Sequence, residues 1–205
     1  MEIKQSELIL NPDGSVYHLN LKPENIANDI IFVGDQDRVA KITSHFETID
    51  FSTQKREFKT QTGTYKGRRI TVMSTGIGPD NIDIVMNELD ALVNIDLETR
   101  LPKQELTSLN IIRVGTSGSL HEDIPVDSIV MSAYGLGLDN MLRSYNIDQV
   151  TDSAAEEAFI NHTNWDIRKG KPYVVKGSEK LQELIYSPDI HKGITATAGG
   201  FYGPQ

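Results

Sequence analysis

Three apolar runs in this chain each end in a glycine-rich turn, and that pattern leaves few folds open. Ile30-Ile31-Phe32-Val33 runs into Gly34-Asp35-Gln36-Asp37-Arg38. Ile70, Val72 and Met73 lead into Ser74-Thr75-Gly76-Ile77-Gly78-Pro79-Asp80, and Ile111, Ile112 and Val114 into Gly115-Thr116-Ser117-Gly118. Short apolar runs bounded by turn residues read as strands with buried faces. Two of the turns open helices. After the first, Val39, Ile42 and Phe46 recur at helical spacing, and Asp35 or Asp37 is placed to cap the helix. After the second, Pro79 suits the first helical position, and Ile82, Val85, Met86, Leu89, Leu92 and Val93 form an apolar stripe of core type. Strands alternating with helices imply an α/β fold with a mixed or largely parallel sheet. Ligands of such folds collect at the carboxyl ends of the strands, where the glycine turns fall.

The remaining segments fit the same plan. Residues 1–29 read as an extended arm, with a turn at Asn11-Pro12-Asp13-Gly14, a strand-like Val16-Tyr17-His18-Leu19 and a helical turn between Pro23 and Asp29. Residues 55–75 read as a hairpin: Phe58, Thr60, Thr62 and Thr64 alternate along one arm, and Tyr65-Lys66-Gly67-Arg68 makes the turn. Residues 95–109 are polar, are interrupted by Pro102 and read as a loop or short helix. Further strands are expected at Ser128–Ala133, Tyr173–Val175 and His191–Ala198. Helices are expected within 138–163, with Ala154, Ala155, Ala158 and Phe159 inward, and from Ser178 to Ile185. With no internal repeat or low-complexity tract, a single domain over 1–205 is expected.

Charge narrows the function classes. The net charge of −9 argues against a general binder of nucleic acid or anionic membranes. Local clusters of arginine become more informative for the same reason. The absence of cysteine excludes disulfides, thiolate catalysis and cysteine–metal sites. No apolar run approaches the ~18 residues of a membrane span. The start, MEIKQSELIL, lacks the basic and apolar regions of a signal peptide, so a cytoplasmic location is expected.

The residues with chemical potential cluster at the turns. Arg113 lies inside an apolar run, and a buried arginine is costly unless its charge and donors are satisfied. Arg113 followed by a Gly/Thr/Ser turn suits a small oxyanion, because glycines let backbone N–H groups approach a ligand. An Arg113–carboxylate bridge beside an ordinary turn fits these residues equally well. Arg38 falls in the first turn of a helix, where a cation opposes the helix dipole, so a ligand role or an aspartate partner would explain it. Arg56-Glu57 alone reads as a surface pair, and His18 as a surface histidine. The turn at Gly76–Gly78 is neither a G-x-G-x-x-G fingerprint nor a Walker A loop. Gly115-Thr116-Ser117-Gly118 is not a G-x-S-x-G elbow, which disfavours a hydrolase with Ser117 as nucleophile.

Taken together, VYHL at 16–19, FVGDQDRVAKI at 32–42, KREF at 55–58, STGIG at 74–78, NIIRVGTSGSL at 110–120 and ITATAGGFYGPQ at 194–205 resemble the nucleoside phosphorylase superfamily, within it the uridine phosphorylases. The resemblance implies a three-layer α/β architecture, a central mixed sheet flanked by helices. It also implies reversible phosphorolysis: phosphate displaces the base of a nucleoside, giving ribose 1-phosphate without a covalent enzyme intermediate. Carried over by motif, the phosphate site falls on Gly34, Arg38, Arg56, Arg113 and Thr116, with Arg113, Arg38 and Arg56 as the catalytic cations. Three guanidiniums suit a phosphate dianion. The base and ribose site falls on His18, Thr116, Ser117, Gly118, Phe201 and Gln205. The glutamine amide offers uracil a donor and an acceptor. Arg56 and His18 are implied to serve a neighbouring subunit, which makes a homodimer the minimal unit and a hexamer of three dimers an option. No cofactor is implied, phosphate being a co-substrate. Glu57 and Ile77 match parts of a monovalent-cation site found in some relatives, and no other metal is expected. The expected partners are nucleoside, phosphate and copies of the chain, with no nucleic acid and no membrane.

The resemblance has departures. Family members run beyond the position of Gln205, so an incomplete C-terminal part is expected, lacking an arginine two residues further on, a Glu-Met-Glu stretch, a closing strand and a helix. The 95–109 segment is longer than in common bacterial uridine phosphorylases, Gly-Ile-Gly-Pro lacks one glycine, and Gly199-Gly200 before Phe201 is unusual. These features keep three alternatives open: a purine nucleoside phosphorylase, a methylthioadenosine phosphorylase and a non-catalytic nucleoside-binding protein.

Overall fold

The computed structural model describes residues 2–203, and the chain divides into two compact units, 1–115 and 116–205. Both are α/β with mixed sheets. In the first unit the chain forms β1 (Asp29–Val33), α1 (Gln36–Thr43), β2 (Thr48–Lys55), β3 (Phe58–Tyr65), β4 (Arg68–Ser74) and α2 (Pro79–Asn94). A two-stranded hairpin of β5 (Ile95–Asp96) and β6 (Leu101–Pro102) follows, then β7 (Asn110–Val114). The sheet order is β2-β3-β4-β1-β7. β1 runs parallel to both β4 and β7, while β2, β3 and β4 form an antiparallel meander.

The alternation of β1 separates two cores. Ile30 and Phe32 pack with Val85, Leu89 and Leu92 of α2, whereas Val33 packs with Val39 of α1 and Val72 of β4. Successive side chains of a strand point to opposite faces, so α1 and α2 cover opposite sides of the sheet and the unit has three layers. Both expected helices form, with Asp35 accepting from the Asp37 N–H as cap and Pro79 opening α2; α1 ends at Thr43, so Phe46 packs beside Val39 and Ile42 from beyond the helix. The hairpin of β3 and β4 also holds. Its turn places Lys66 and Gly67 at φ of 49° and 74°, the left-handed values of a tight two-residue connection.

Two expectations are corrected here, a third is refined and one unassigned stretch is filled. Residues 2–28 are not an extended arm: Val16, Leu19 and Leu21 are fully buried, and Leu10 pairs with Val16. Residues 48–55, unassigned from sequence, form β2, an edge strand whose polar, alternating sequence hides it. Within the polar 95–109 segment a short β5–β6 hairpin forms, held by the Asp96 carboxylate accepting from the Glu98 and Thr99 N–H groups, while residues 103–109 are irregular chain as the loop reading expected. Arg113 does not sit in a buried strand. It lies at the exposed end of β7, an edge strand.

The second unit carries β8 (Val130–Gly137), α3 (Ser153–Thr163), β9 (Tyr173–Lys176), α4 (Glu179–Ile185) and β10 (His191–Thr197), with sheet order β10-β8-β9. β8 is parallel to β10 and antiparallel to β9. Ser178 caps α4 as expected. On α3 the fully buried side chain is Glu156, while Ala154 and Ala158 are exposed. Its carboxylate meets Arg143 Nη2 at 2.9 Å and Lys171 Nζ at 3.1 Å. Among the described residues, no helix is long and apolar enough to cross a membrane.

Candidate functional site

The three glycine turns of the sequence end at one edge of the first sheet. Val33 is in register with Ser74 on one side and Val114 on the other, so β1, β4 and β7 finish level with each other. The pairing of β1 with β4 continues into the turns: Thr75 N–H donates to Val33 O at 2.8 Å and Gly76 N–H to Gly34 O at 3.0 Å. Gly34 and Gly76 are therefore side by side at the carboxyl ends of parallel strands, the position where α/β sheets receive ligands.

The Arg113 side chain folds over this edge. A Cβ added at Gly34 would lie 3.7 Å from Arg113 Nη2, and one added at Gly115 would lie 2.4 Å from Nη1. Gly34 borders the guanidinium at ordinary contact distance. Gly115 lies so close that any side chain there would displace it. Arg38 is in the first turn of α1, four residues after Gly34 in the chain, and is half-buried. Arg56 occupies the two-residue β2–β3 turn with φ of 53°, a left-handed backbone unusual for arginine. Its carbonyl accepts from Gln36 Nε2 at 2.6 Å, and Gln36 Oε1 accepts from Gln54 Nε2 at 2.9 Å. Gln36, not singled out from sequence, thus ties the turn bearing Arg56 to the start of the helix bearing Arg38.

Pairing separates these arginines from the rest. Among the described residues, Arg68 is bonded to Asp29, Arg69 to the Ile26 and Glu24 carbonyls, and Arg100 to the Leu8 carbonyl. Arg143 binds the Lys171 and Pro172 carbonyls, and Arg168 binds Asp166. The guanidiniums of Arg38, Arg56 and Arg113 make no hydrogen bond or ion pair with any described residue. The Arg113–carboxylate bridge that the sequence allowed is therefore not formed among those residues. Unpaired guanidiniums beside a helix N-terminus and glycine turns have the chemistry to hold a multivalent oxyanion.

His18 is held elsewhere in the first unit. Its Nδ1 is 2.6 Å from Glu88 Oε1, and the His18 and Leu19 N–H groups also donate to the Glu88 carboxylate. Glu88 lies on α2 and is 6% exposed. The apolar stripe of α2 concealed it, and only its break in that stripe could have flagged it. Glu57 packs against the second turn, its Cγ 2.9 Å from where a Cβ at Gly76 would sit, and Ile77 is exposed. The described residues hold no cluster of three or more metal-ligating side chains.

The other site residues belong to the second unit. Thr116, Ser117 and Gly118 are exposed in irregular chain, with Ser117 Oγ donating to Gly118 O at 3.0 Å. Phe201 is exposed and meets Tyr202 edge-on, with centroids 5.3 Å apart. Gln205 lies outside the described residues.

Fold and strand-end geometry together describe an α/β protein with an oxyanion-receptive sheet edge. The chain belongs to the phosphorylase superfamily, whose family model matches residues 29–205. Among solved structures it is similar to a Trypanosoma brucei nucleoside phosphorylase described as showing uridine phosphorylase activity. The two are 32% identical with a TM-score of 0.82, over 97% of this chain and 71% of that one. It is 32% identical over 133 residues to a uridine phosphorylase of Thermococcus kodakarensis, covering 65% of this chain and 43% of the relative. It is 33% identical over 141 residues to a DeoD-type purine nucleoside phosphorylase of Streptococcus suis, covering 66% and 54%. The aligned segments span about half the length of these two curated relatives.

Proposed function

We propose that this chain carries out nucleoside phosphorolysis, with uridine as the preferred substrate: uridine and phosphate give uracil and ribose 1-phosphate. The observation that carries this reading is the free state of Arg38, Arg56 and Arg113 among the described residues, where the other five arginines are partnered. In a protein with a net charge of −9, cations left unpaired are available to an anion, which supports this reading.

In this reading Gly34, Arg38, Arg113 and Thr116 hold phosphate, and Arg56 joins them from a neighbouring subunit. A phosphate oxygen bonds to C1′ as the C1′–N1 bond breaks, and its electron pair leaves on the base. The sugar passes through a cationic state that the phosphate charge stabilises. The protein's contribution is positioning and electrostatics, with no covalent intermediate. Ser117, Gly118, Phe201 and Gln205 surround the base, and His18 of a neighbouring subunit binds the 5′-hydroxyl. No cofactor takes part. A monovalent cation at Glu57 and Ile77 is a subordinate part of the proposal.

Uracil is favoured by the Phe-x-x-x-Gln spacing at 201–205 and by the activity reported for the Trypanosoma brucei relative. A purine substrate is the second reading, favoured by the match to the Streptococcus suis protein. The test is base release from uridine and inosine by the full-length gene product, with and without phosphate. Phosphate-dependent uracil release is expected. Inosine as the better substrate would replace the base assignment, and equal turnover without phosphate would overturn the mechanism.

A further inference from the structure

The buried Glu88 carboxylate does more than brace the chain that carries His18. Oε1 accepts from the His18 N–H at 2.8 Å and contacts Nδ1 at 2.6 Å, while Oε2 accepts from the Leu19 N–H at 2.8 Å. Among the described residues no lysine or arginine pairs with Glu88, so its charge is met by N–H donors alone. Two backbone bonds would suffice to anchor the turn. The third interaction acts on the ring: a carboxylate can only accept, so Nδ1 must carry a proton. The other ring nitrogen, Nε2, is then left for a ligand, and in the neutral ring it is an acceptor. The His18 side chain is 28% exposed, against 8% for Glu88, so a ligand reaches the histidine more readily than its partner.

We infer that Glu88 is a positioning residue that fixes His18 with Nδ1 protonated and Nε2 as acceptor for a sugar hydroxyl, so that selectivity for 5′-hydroxylated nucleosides originates in α2 as well as in His18. This inference rests on the proposed function. It adds a buried residue that does not touch substrate and acts only through the imidazole. Replacing the carboxylate by an amide of the same shape leaves one acceptor and introduces an NH2 that can donate to Nδ1. With the NH2 in the Oε1 position, facing Nδ1, the ring's tautomer reverses and Nε2 becomes a donor. The hydroxyl can rotate to accept, but the bond it formed as donor is lost.

The test combines ring ¹⁵N shifts of His18 with kcat/KM for uridine and 5′-deoxyuridine, in wild type, Glu88→Gln, His18→Ala and the double variant. The wild-type ring is expected with Nδ1 protonated, and Glu88→Gln is expected to move the proton to Nε2. The preference for uridine over 5′-deoxyuridine should fall about 10- to 100-fold, by analogy with the loss of an orienting partner from a metal-ligating histidine. Turnover of 5′-deoxyuridine should hardly change. His18→Ala should abolish the same preference, and adding Glu88→Gln to it should lower the preference no further. A wild-type ring without the Nδ1 proton overturns the inference, even if the variant folds poorly. Equal loss on both substrates also overturns it, by reducing Glu88 to a structural role. A changed tautomer with unchanged preference refutes the hydroxyl assignment. Release of base from neither uridine nor inosine by wild type rejects the proposed function instead, and the ring shifts then still decide whether Glu88 positions His18.

Discussion

The Glu156 cluster of the second unit and the strand-end edge of the first use arginine in opposite ways. In the second, Arg143 is consumed by structure: it meets the buried Glu156 carboxylate at 2.9 Å and donates to the Pro172 carbonyl at 2.5 Å. In the first, Arg38, Arg56 and Arg113 stand at or near the strand ends with no partner among the described residues. A paired guanidinium neutralises a buried charge and fixes local packing. An unpaired one beside glycine turns contributes little to folding and remains available to an anion. Residue type alone does not separate these roles, but pairing does. Loss of the first kind should therefore appear in stability, and loss of the second in phosphate use.

The largest expected effect is on the unpaired side. Arg113→Ala should reduce phosphate-dependent turnover by about 10²- to 10³-fold, the order found when one donor of a transition-state anion is removed. Its thermal midpoint should stay close to wild type. Phosphate-dependent kinetics beside a melting curve checks both, and unchanged activity would remove Arg113 from the site.

Arg143→Ala should show the reverse pattern. Removing a partner of a buried carboxylate is strongly destabilising, and with Lys171 still in place and Arg143 partly exposed we expect about 2–3 kcal/mol, read by urea unfolding. The same cluster sets a pH dependence. Burial pushes the Glu156 carboxyl up, but hydrogen bonds and charge from Arg143 and Lys171 outweigh it and hold the group below its ordinary value of 4.5. The unfolded chain then binds this proton more readily than the folded one. The stabilisation is complete above the ordinary value and is lost as pH falls through the folded one. The midpoint should drop on acidification, and Glu156→Gln should flatten that drop. A steeper drop in the variant would contradict this sign.

Gly115→Ala sharpens the contrast by disturbing Arg113 without removing it. The added methyl would sit 2.4 Å from Nη1, so the guanidinium must move. Loss of one hydrogen bond to a charged group, about 1.5–3 kcal/mol, should raise the phosphate KM at least about tenfold. An unaltered phosphate KM would mean that this guanidinium position is not the binding one. The smallest effect belongs to Arg68→Ala. Its pair with Asp29 at 2.8 Å is largely exposed, worth about 0–1 kcal/mol, and neither unfolding nor turnover should change measurably.

Much of the scaffold was legible because its signals are local. The runs of β1 and β4, the stripes of α1 and α2, and the Lys66-Gly67 turn each depend on residues within one segment. β2 was not legible because an edge strand such as Thr48–Lys55 buries little and carries no apolar run. On α3 the alanines suggested the inward face, yet Glu156 occupies it, since its partners Arg143 and Lys171 come from distant positions. The arginines were legible as candidates through their turns and the family resemblance, but their unpaired state was not.

By itself, the sequence determined the α/β class and placed the glycine turns at strand ends. Apolar periodicity and turn chemistry are encoded within a few neighbouring residues, so they can be read without knowing the partners. Tertiary structure alone decided that β1, β4 and β7 end level, that Arg113 lies over Gly34 and Gly115, and that Gln36 ties the Arg56 turn to α1. It alone put Glu88 on His18 and Glu156 between Arg143 and Lys171. Each of these depends on charges and donors brought together from distant positions, and whether a charged group finds a partner on folding is a property of three-dimensional proximity that no local pattern contains.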